Sequence, residues 1–91
     1  MNVRVHLYIS GKVQGVFFRD SASQMATAMD LTGYVKNLPD GRVEIVAEGE
    51  KEHVEKLVRW SHSGPPWAVV HHVERRDEVF KGEFNMFEIT R

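Results

Sequence analysis

The chain begins with an alternation of apolar and polar side chains. From Val3 to Ser10 every second residue is apolar, and a period of two predicts a half-buried strand. Its apolar face consists of Val3, Val5, Leu7 and Ile9. Gly11 and Gly15 follow the strand, and they predict a bend in which several backbone N–H groups turn into one concave space.

A different spacing comes next and predicts the first helix, from about Phe18 or Arg19 to about Thr32. Small and apolar residues recur there at intervals of three and four, which places them on one helix face. These residues are Ala22, Met25, Ala26 and Met29. Gly33 is placed to end this helix as a C-terminal cap.

The middle of the chain predicts a hairpin. Residues Tyr34 to Lys36 form its short first strand, and Leu38-Pro39-Asp40-Gly41 has the composition of a turn. The second strand runs from Arg42 to Glu48, where Val43, Ile45 and Ala47 alternate with Glu44, Val46 and Glu48. This alternation predicts an acidic outer face that only Val46 interrupts.

The last part of the chain predicts one more helix and two strands. The helix runs from about Glu50 to His62 and is followed by a loop at residues 63–66. Its apolar face consists of Val54, Leu57, Val58 and Ser61. A strand is predicted at Val69 to Arg76 and another at Asn85 to Thr90, with Phe87 and Ile89 pointing inward and an exposed connection from Asp77 to Phe84.

The order of these elements predicts an α+β fold. The sequence β-α-β-β-α-β plus a short final strand is that of a ferredoxin-like sandwich, with a mostly antiparallel sheet and two helices on one face. A single domain of residues 1–91 follows. In a βαβ unit the two strands are parallel, so the ends of the first two strands lie at one edge of the sheet, on the order of 10 Å apart if one strand intervenes. Arg19 and Asn37 can therefore share a site.

Composition narrows the function classes. The chain has 12 basic and 13 acidic residues and a net charge of −1, a balance that disfavours a general nucleic-acid binder. Cysteine is absent, which excludes disulfide scaffolds, thiolate nucleophiles and cysteine–zinc sites. Residues Met1 to Val13 contain no continuous apolar run, so we expect no signal peptide, no membrane span and a cytoplasmic protein.

The candidate chemistry lies around the first loop. Glycines before a helix N-terminus and an arginine in the first helical turn favour binding of an anion such as phosphate. Asn37 offers an amide that can orient a water molecule, although an asparagine before such a turn most often caps its own backbone. The five histidines have no metal-ligand spacing, and no nucleophile has a base beside it. Such a site suits an easy hydrolysis with a good leaving group, as in acyl phosphates.

Two segments resemble the signatures of one enzyme family. Gly-Lys-Val-Gln-Gly-Val-Phe-Phe-Arg at residues 11–19 is similar to the first signature of the acylphosphatases. Gly-Tyr-Val-Lys-Asn-Leu-Pro-Asp-Gly-Arg-Val at residues 33–43, continued to Gly49, is similar to the second. The resemblance extends over essentially all 91 residues.

The resemblance implies hydrolysis of acyl phosphates to a carboxylate and inorganic phosphate. Carried over by position, the phosphoryl group would be bound by Arg19 and by the backbone N–H groups of Gly15, Val16, Phe17, Phe18 and Arg19. Asn37 would orient the attacking water, and the phosphate of the substrate would take up its proton. No metal and no cofactor are implied, and inorganic phosphate would act as product and competitive inhibitor. We assign no chemistry to the side chain of Phe17 and expect Phe18 in the core.

Three alternatives remain open at this point. The first is a non-catalytic anion-binding or regulatory module, because the fold alone proves no function. The second is an RNA-binding sheet, which disagrees with Glu44 and Glu48 on the open face of a central strand. The third is a domain of a larger assembly, as in some carbamoyl-transfer proteins. Because the sequence ends at Arg91, we expect a free-standing enzyme. We also expect it to be a monomer.

Overall fold

One sheet of five strands, with two helices on one face, makes up the fold of the computed structural model, which describes Met1 to Arg91. The elements are β1 (Asn2–Lys12), α1 (Phe18–Ala28), β2 (Thr32–Asn37), β3 (Val43–Glu50), α2 (Lys51–Ser61), β4 (Val69–Glu78) and β5 (Phe87–Thr90). The strand order is β4-β1-β3-β2-β5, and only β2 and β5 pair in parallel. The predicted ferredoxin-like α+β sandwich is confirmed.

The core lies between the helices and one face of the sheet. The strands contribute Val5, Leu7, Ile9, Val35, Val43, Ile45 and Ala47, and the helices contribute Phe18, Ala22, Ala26, Val54, Leu57 and Val58. Burial of each large aliphatic side chain contributes about 1.5–3 kcal/mol. The predicted faces of β1 and α2 are confirmed, and so is the core position of Phe18, whose side chain packs on Trp60 with ring centroids 5.0 Å apart.

The predicted end of α1 is wrong. The helix stops at Ala28, and Asp30, with φ 56°, adopts the left-handed conformation that was expected at Gly33. Gly33 instead lies inside β2, where an added Cβ would collide with the carbonyl oxygen of Val46 on β3. This glycine permits the close approach of two strands, which is a second common reason for glycine in a strand.

Strand boundaries differ from the predictions at several ends. β1 continues through Gly11 to Lys12, with a shift in its pairing to β4 after Ser10, so the loop before α1 comprises only residues 13–17. β4 extends to Glu78, because its residues pair with β1 as far as Arg4. Phe87 is 5% exposed as predicted, but Ile89 is 40% exposed because β5 is an edge strand.

The prediction of an acidic outer face of β3 that is open to solvent is wrong at Glu48. Glu48 is 0% exposed, because the segment of residues 79–86 crosses the sheet face opposite the helices on its way from β4 to β5. The backbone N–H groups of Lys81 and Gly82 donate to its carboxylate at 2.8 and 3.1 Å. Arg4 donates to it at 3.2 Å. Burial of a carboxylate is tolerated here because it is both paired and hydrogen-bonded.

Arg4 is the centre of this buried network. Its guanidinium also donates to Glu78 and Glu83, each at 2.7 Å. Burial alone would lower the pKa of Arg4, but the hydrogen bonds to these carboxylates outweigh it and raise the pKa. His6 extends the network, since its ring nitrogens lie 3.0 Å from Glu78 and 2.7 Å from Glu44. The network fixes the 79–86 segment to the open face of the sheet.

Candidate active site

The ends of β1 and β2 meet at one edge of the sheet. Both strands are antiparallel to β3, which lies between them, so they are parallel to each other. Ile9 and Asn37 pair with the same residue, Val43, from its two sides. Two strand spacings of about 4.8 Å separate them, as the sequence predicted. The loop that follows β1 therefore begins close to the end of β2.

The 13–17 loop presents backbone donors that nothing in the protein uses. Val13 and Val16 are buried and anchor the loop, whereas Gly15 and Phe17 have left-handed backbone conformations with φ 74° and 66°. No backbone N–H of residues 14–17 donates a hydrogen bond within the backbone. The N-terminus of α1 has no side-chain cap either. Free N–H groups and the positive end of a helix dipole thus coincide, an arrangement that attracts anions.

Arg19 adds a cation that has no partner. Its side chain lies half-buried in the first turn of α1, and its guanidinium forms no ion pair or hydrogen bond with another residue. Arg4, Arg42, Arg75 and Arg76, in contrast, each donate to a carboxylate of the chain, and the two other unpaired arginines, Arg59 and Arg91, are exposed. A guanidinium left free beside unused N–H groups is available to bind an anion from solution.

Asn37, the last residue of β2, provides an unsatisfied acceptor. Its Oδ1 is buried and has no hydrogen-bond partner. Leaving a buried polar atom unpaired costs about 1–3 kcal/mol, and native structures contain few such atoms. The side chain therefore does not cap the following turn, which is the structural role most common for asparagine at such positions.

A single cavity brings these groups together. It has a volume of about 210 Å³ and is lined by Val13, Gly15, Phe17, Phe18, Arg19, Asp20 and Asn37. Of the predicted site residues, only Val16 does not line it, and the side chain of Val16 packs in the core. The structure also adds the exposed Asp20, which directly follows Arg19 in the first turn of α1.

The family model of the acylphosphatases matches residues 5–89. The chain belongs to the acylphosphatase family. An acylphosphatase of Rubrobacter xylanophilus is 54% identical over 94% of this chain and 78% of its own length. One from Methylococcus capsulatus is 49% identical over 97% of this chain and 96% of its own. Among solved structures, an acylphosphatase from Coxiella burnetii matches with a TM-score of 0.92 and 42% identity, covering 98% of this chain and 93% of its own.

Gln14 lies beside this candidate site, and the sequence did not predict its contacts. Its Nε2 donates to the carbonyl oxygens of Leu38 and Arg42, at 2.8 and 2.9 Å. These two residues enclose the turn that directly follows Asn37, and Leu38 N–H donates to the Arg42 carbonyl at 2.8 Å. Gln14 thus ties the 13–17 loop to the β2–β3 turn. The sequence signals were a polar side chain between Gly11 and Gly15 and its position within the first family signature.

The β2–β3 turn is further stabilised by Asp40. Its carboxylate accepts hydrogen bonds from the backbone N–H of Arg42 at 3.1 Å and from the guanidinium at 2.8 Å. The first of these bonds is the main reason why the pKa of Asp40 lies below its ordinary value. The Arg42 guanidinium also lies 4.8 Å from the ring centroid of Tyr8 on β1. These contacts hold the turn, and with it the end of β2, against the centre of the sheet.

Replacing Gln14 by alanine should weaken catalysis as well as folding. The variant loses two hydrogen bonds, which costs on the order of 1–3 kcal/mol of unfolding free energy. Because a small misplacement of reacting groups is costly, kcat should fall on the order of 10-fold or more. Urea unfolding and benzoyl phosphate kinetics measure the two effects. Gln24→Ala, at an exposed position of α1, is the control. A loss of stability with an unchanged kcat would contradict the positioning role.

No three histidine, aspartate or glutamate side chains lie close enough to hold a metal ion together. Both helices have 11 residues, and neither combines the length and apolar character needed to traverse a bilayer.

Proposed function

We propose that the protein carries out the acyl phosphate hydrolysis of its family through the cavity at the ends of β1 and β2. The phosphate is held by Arg19 and by the backbone N–H groups of Gly15, Val16, Phe17, Phe18 and Arg19, and the attacking water is oriented by Asn37. One observation carries this assignment. The unpaired Arg19 guanidinium and the unused loop donors line the same 210 Å³ cavity as the unpaired Asn37 oxygen.

The phosphate side of this proposal follows from charge and donor geometry. Each backbone N–H contributes a fixed donor, and the dipole of α1 favours negative charge at its N-terminus. A guanidinium donates two parallel hydrogen bonds to two phosphate oxygens, which fixes the orientation of the phosphoryl group as well as its position. Negative charge that develops on phosphorus oxygens during the reaction is stabilised by the same preorganised donors.

The water side follows from the chemistry of an amide. The Asn37 Oδ1 accepts one O–H of a water molecule and so directs the water oxygen, but an amide is too weak a base to remove a proton. The water oxygen bonds to phosphorus, the bond from phosphorus to the carboxylate oxygen breaks, and the proton passes to a phosphate oxygen of the substrate. The departing carboxylate, whose acid has a pKa of about 4, needs no general acid.

The proposal contains no metal and no cofactor. Arg19 and the loop N–H groups supply the positive potential that a metal ion provides in other phosphoryl-transfer sites. Hydrolysis of benzoyl phosphate in buffer with a chelator tests this. We expect turnover to persist with the chelator and inorganic phosphate to inhibit competitively. Folded protein that binds phosphate without turnover would support the alternative of a non-catalytic anion-binding module.

The same proposal includes the domain organisation, the oligomeric state, the location and the partners of the protein. We propose that residues 1–91 act as one domain, as a monomer in the cytoplasm, on a small acyl phosphate and without nucleic acid. The single core cluster of 17 residues and the family match over residues 5–89 support the single domain. Sedimentation at micromolar concentration tests the monomer, since a species with twice the mass of one chain would contradict it.

A further inference from the structure

Phe17 occupies an unexpected place for a large aromatic residue. Its φ of 66° is left-handed, a conformation that is uncommon and strained for bulky side chains. Its side chain is nevertheless 69% exposed, so it gains little from packing. Neither backbone preference nor burial in the core explains a phenylalanine at this position.

Phe17 differs from the other residues that line the cavity in its exposed apolar surface. Three apolar residues line it, and two of them, Val13 and Phe18, are 1% and 2% exposed. Phe17 is therefore the only one whose side chain offers substantial apolar surface to a bound molecule. The other lining residues are Gly15, Arg19, Asp20 and Asn37. A molecule with a polar and an apolar end has one apolar contact available beside these groups.

We propose that the Phe17 ring is the contact surface for the acyl group of the substrate and that it favours aromatic over small acyl groups. The inference rests on the proposed function, because it takes the phosphate as bound by the backbone of residues 15–19. The carboxyl carbon is joined to phosphorus through a single oxygen. Its substituent therefore lies within reach of the side chain carried by this same segment. A planar acyl group stacks on the ring and removes apolar surface of both from water.

The other exposed aromatic of this end of the sheet provides a comparison. Trp67 is 72% exposed and lies two residues before β4, whose first residue pairs with Lys12 at the end of β1. It does not line the cavity. If any exposed aromatic near the site improved use of aromatic substrates, Trp67 would do so as well. The proposal assigns the effect to Phe17 alone, which makes Trp67→Ala a matched control.

The experiment compares kcat/KM for benzoyl phosphate and acetyl phosphate in wild type, Phe17→Ala, Phe17→Asn and Trp67→Ala. Asparagine tolerates the left-handed conformation without supplying a ring, so it separates loss of the ring from loss of loop geometry. Both Phe17 variants should lower the ratio of benzoyl to acetyl kcat/KM about 3- to 10-fold, the range expected for one aromatic contact. The change should lie mainly in KM for benzoyl phosphate. The inhibition constant of phosphate and the Trp67→Ala ratio should stay within about 2-fold of wild type.

The possible results separate this inference from the proposed function. An unchanged ratio in both Phe17 variants, with both substrates still hydrolysed, would overturn the role of the ring and leave the hydrolase intact. Equal losses for both substrates, together with weaker phosphate inhibition, would overturn it in favour of a role in loop geometry. If wild type hydrolysed neither substrate, the proposed function itself would fail.

Discussion

Arg19→Ala should abolish measurable hydrolysis of acyl phosphates and measurable inhibition by phosphate. The guanidinium is the only side-chain cation that lines the cavity, so no other arginine or lysine of the lining can replace it. Arginines that stabilise phosphoryl transfer contribute on the order of 10³–10⁵ in kcat in other enzymes. We therefore expect kcat/KM for benzoyl phosphate to fall by at least about 10³-fold. Steady-state kinetics and phosphate titration calorimetry measure both losses.

Two variants show whether the effect comes from the guanidinium fork or from charge alone. Arg19→Lys keeps the charge but provides a point donor without the fork, so it should recover part of the phosphate affinity and little of kcat. Arg59→Ala removes the same charge from an exposed position in the last turn of α2 and should leave both constants unchanged. Full activity of Arg19→Lys would contradict the bidentate role. Unchanged phosphate affinity in Arg19→Ala would contradict the assignment of the site.

The stability of Arg19→Ala provides an internal check. The Arg19 guanidinium has no ion pair or hydrogen bond within the protein, and it lies near the positive end of the α1 dipole. A cation there is unfavourable by typically 0.3–1 kcal/mol, so its removal should leave the free energy of unfolding unchanged or slightly higher. Lost activity in a fully folded variant therefore cannot be attributed to unfolding.

The frame of the site could be predicted because it depends on local patterns. Alternation from Val3 to Ser10 identifies β1, and helical spacing identifies the buried face of α1. The two strands of a βαβ unit are parallel, so the C-terminal ends of β1 and β2 must lie at one edge of the sheet. Together these three features place Arg19 and Asn37 at one site.

The remaining features depend on contacts between residues that are distant in sequence. Glu48 reads as a solvated residue of an alternating strand, but it is buried by Arg4 and by a segment more than 30 residues further along the chain. Gln14 donates hydrogen bonds to two carbonyl groups that lie 24 and 28 residues further along the sequence. Local periodicity contains no information about such partners, which is why the buried network and the anchor of the loop were not predicted.

Gly33 shows the same limit at a single residue. A glycine after a helical pattern is a common C-terminal cap, and that local rule predicted its role. The actual reason is the position of Val46 on the neighbouring strand, against which a side chain at residue 33 would collide. Glycine is favoured both at a C-terminal cap and at a close approach of two strands. Only the pairing of β2 with β3 distinguishes them.

Asn37→Ala should lower kcat by on the order of 10²–10³ while leaving phosphate affinity nearly intact, by analogy with the loss of one transition-state hydrogen-bond partner. The reason is that Oδ1 is an acceptor and phosphate offers it few donors, whereas a water molecule offers two. Benzoyl phosphate kinetics and the inhibition constant of phosphate separate the two effects. Asn85→Ala, at an exposed position outside the cavity, is the matched control and should change neither.

The unfolding free energy of the same variant distinguishes a catalytic from a structural asparagine. If Asn37 capped the β2–β3 turn, its replacement would lower the free energy of unfolding by on the order of 1 kcal/mol, as it does for capping asparagines of helices. Oδ1 of Asn37 is buried without a partner, so its removal relieves an unsatisfied polar atom and should not lower stability. Low activity with undiminished stability is therefore the expected combination. A parallel loss of stability and phosphate affinity would instead assign Asn37 to the architecture of the cavity, and the orientation of the water would have to come from another group.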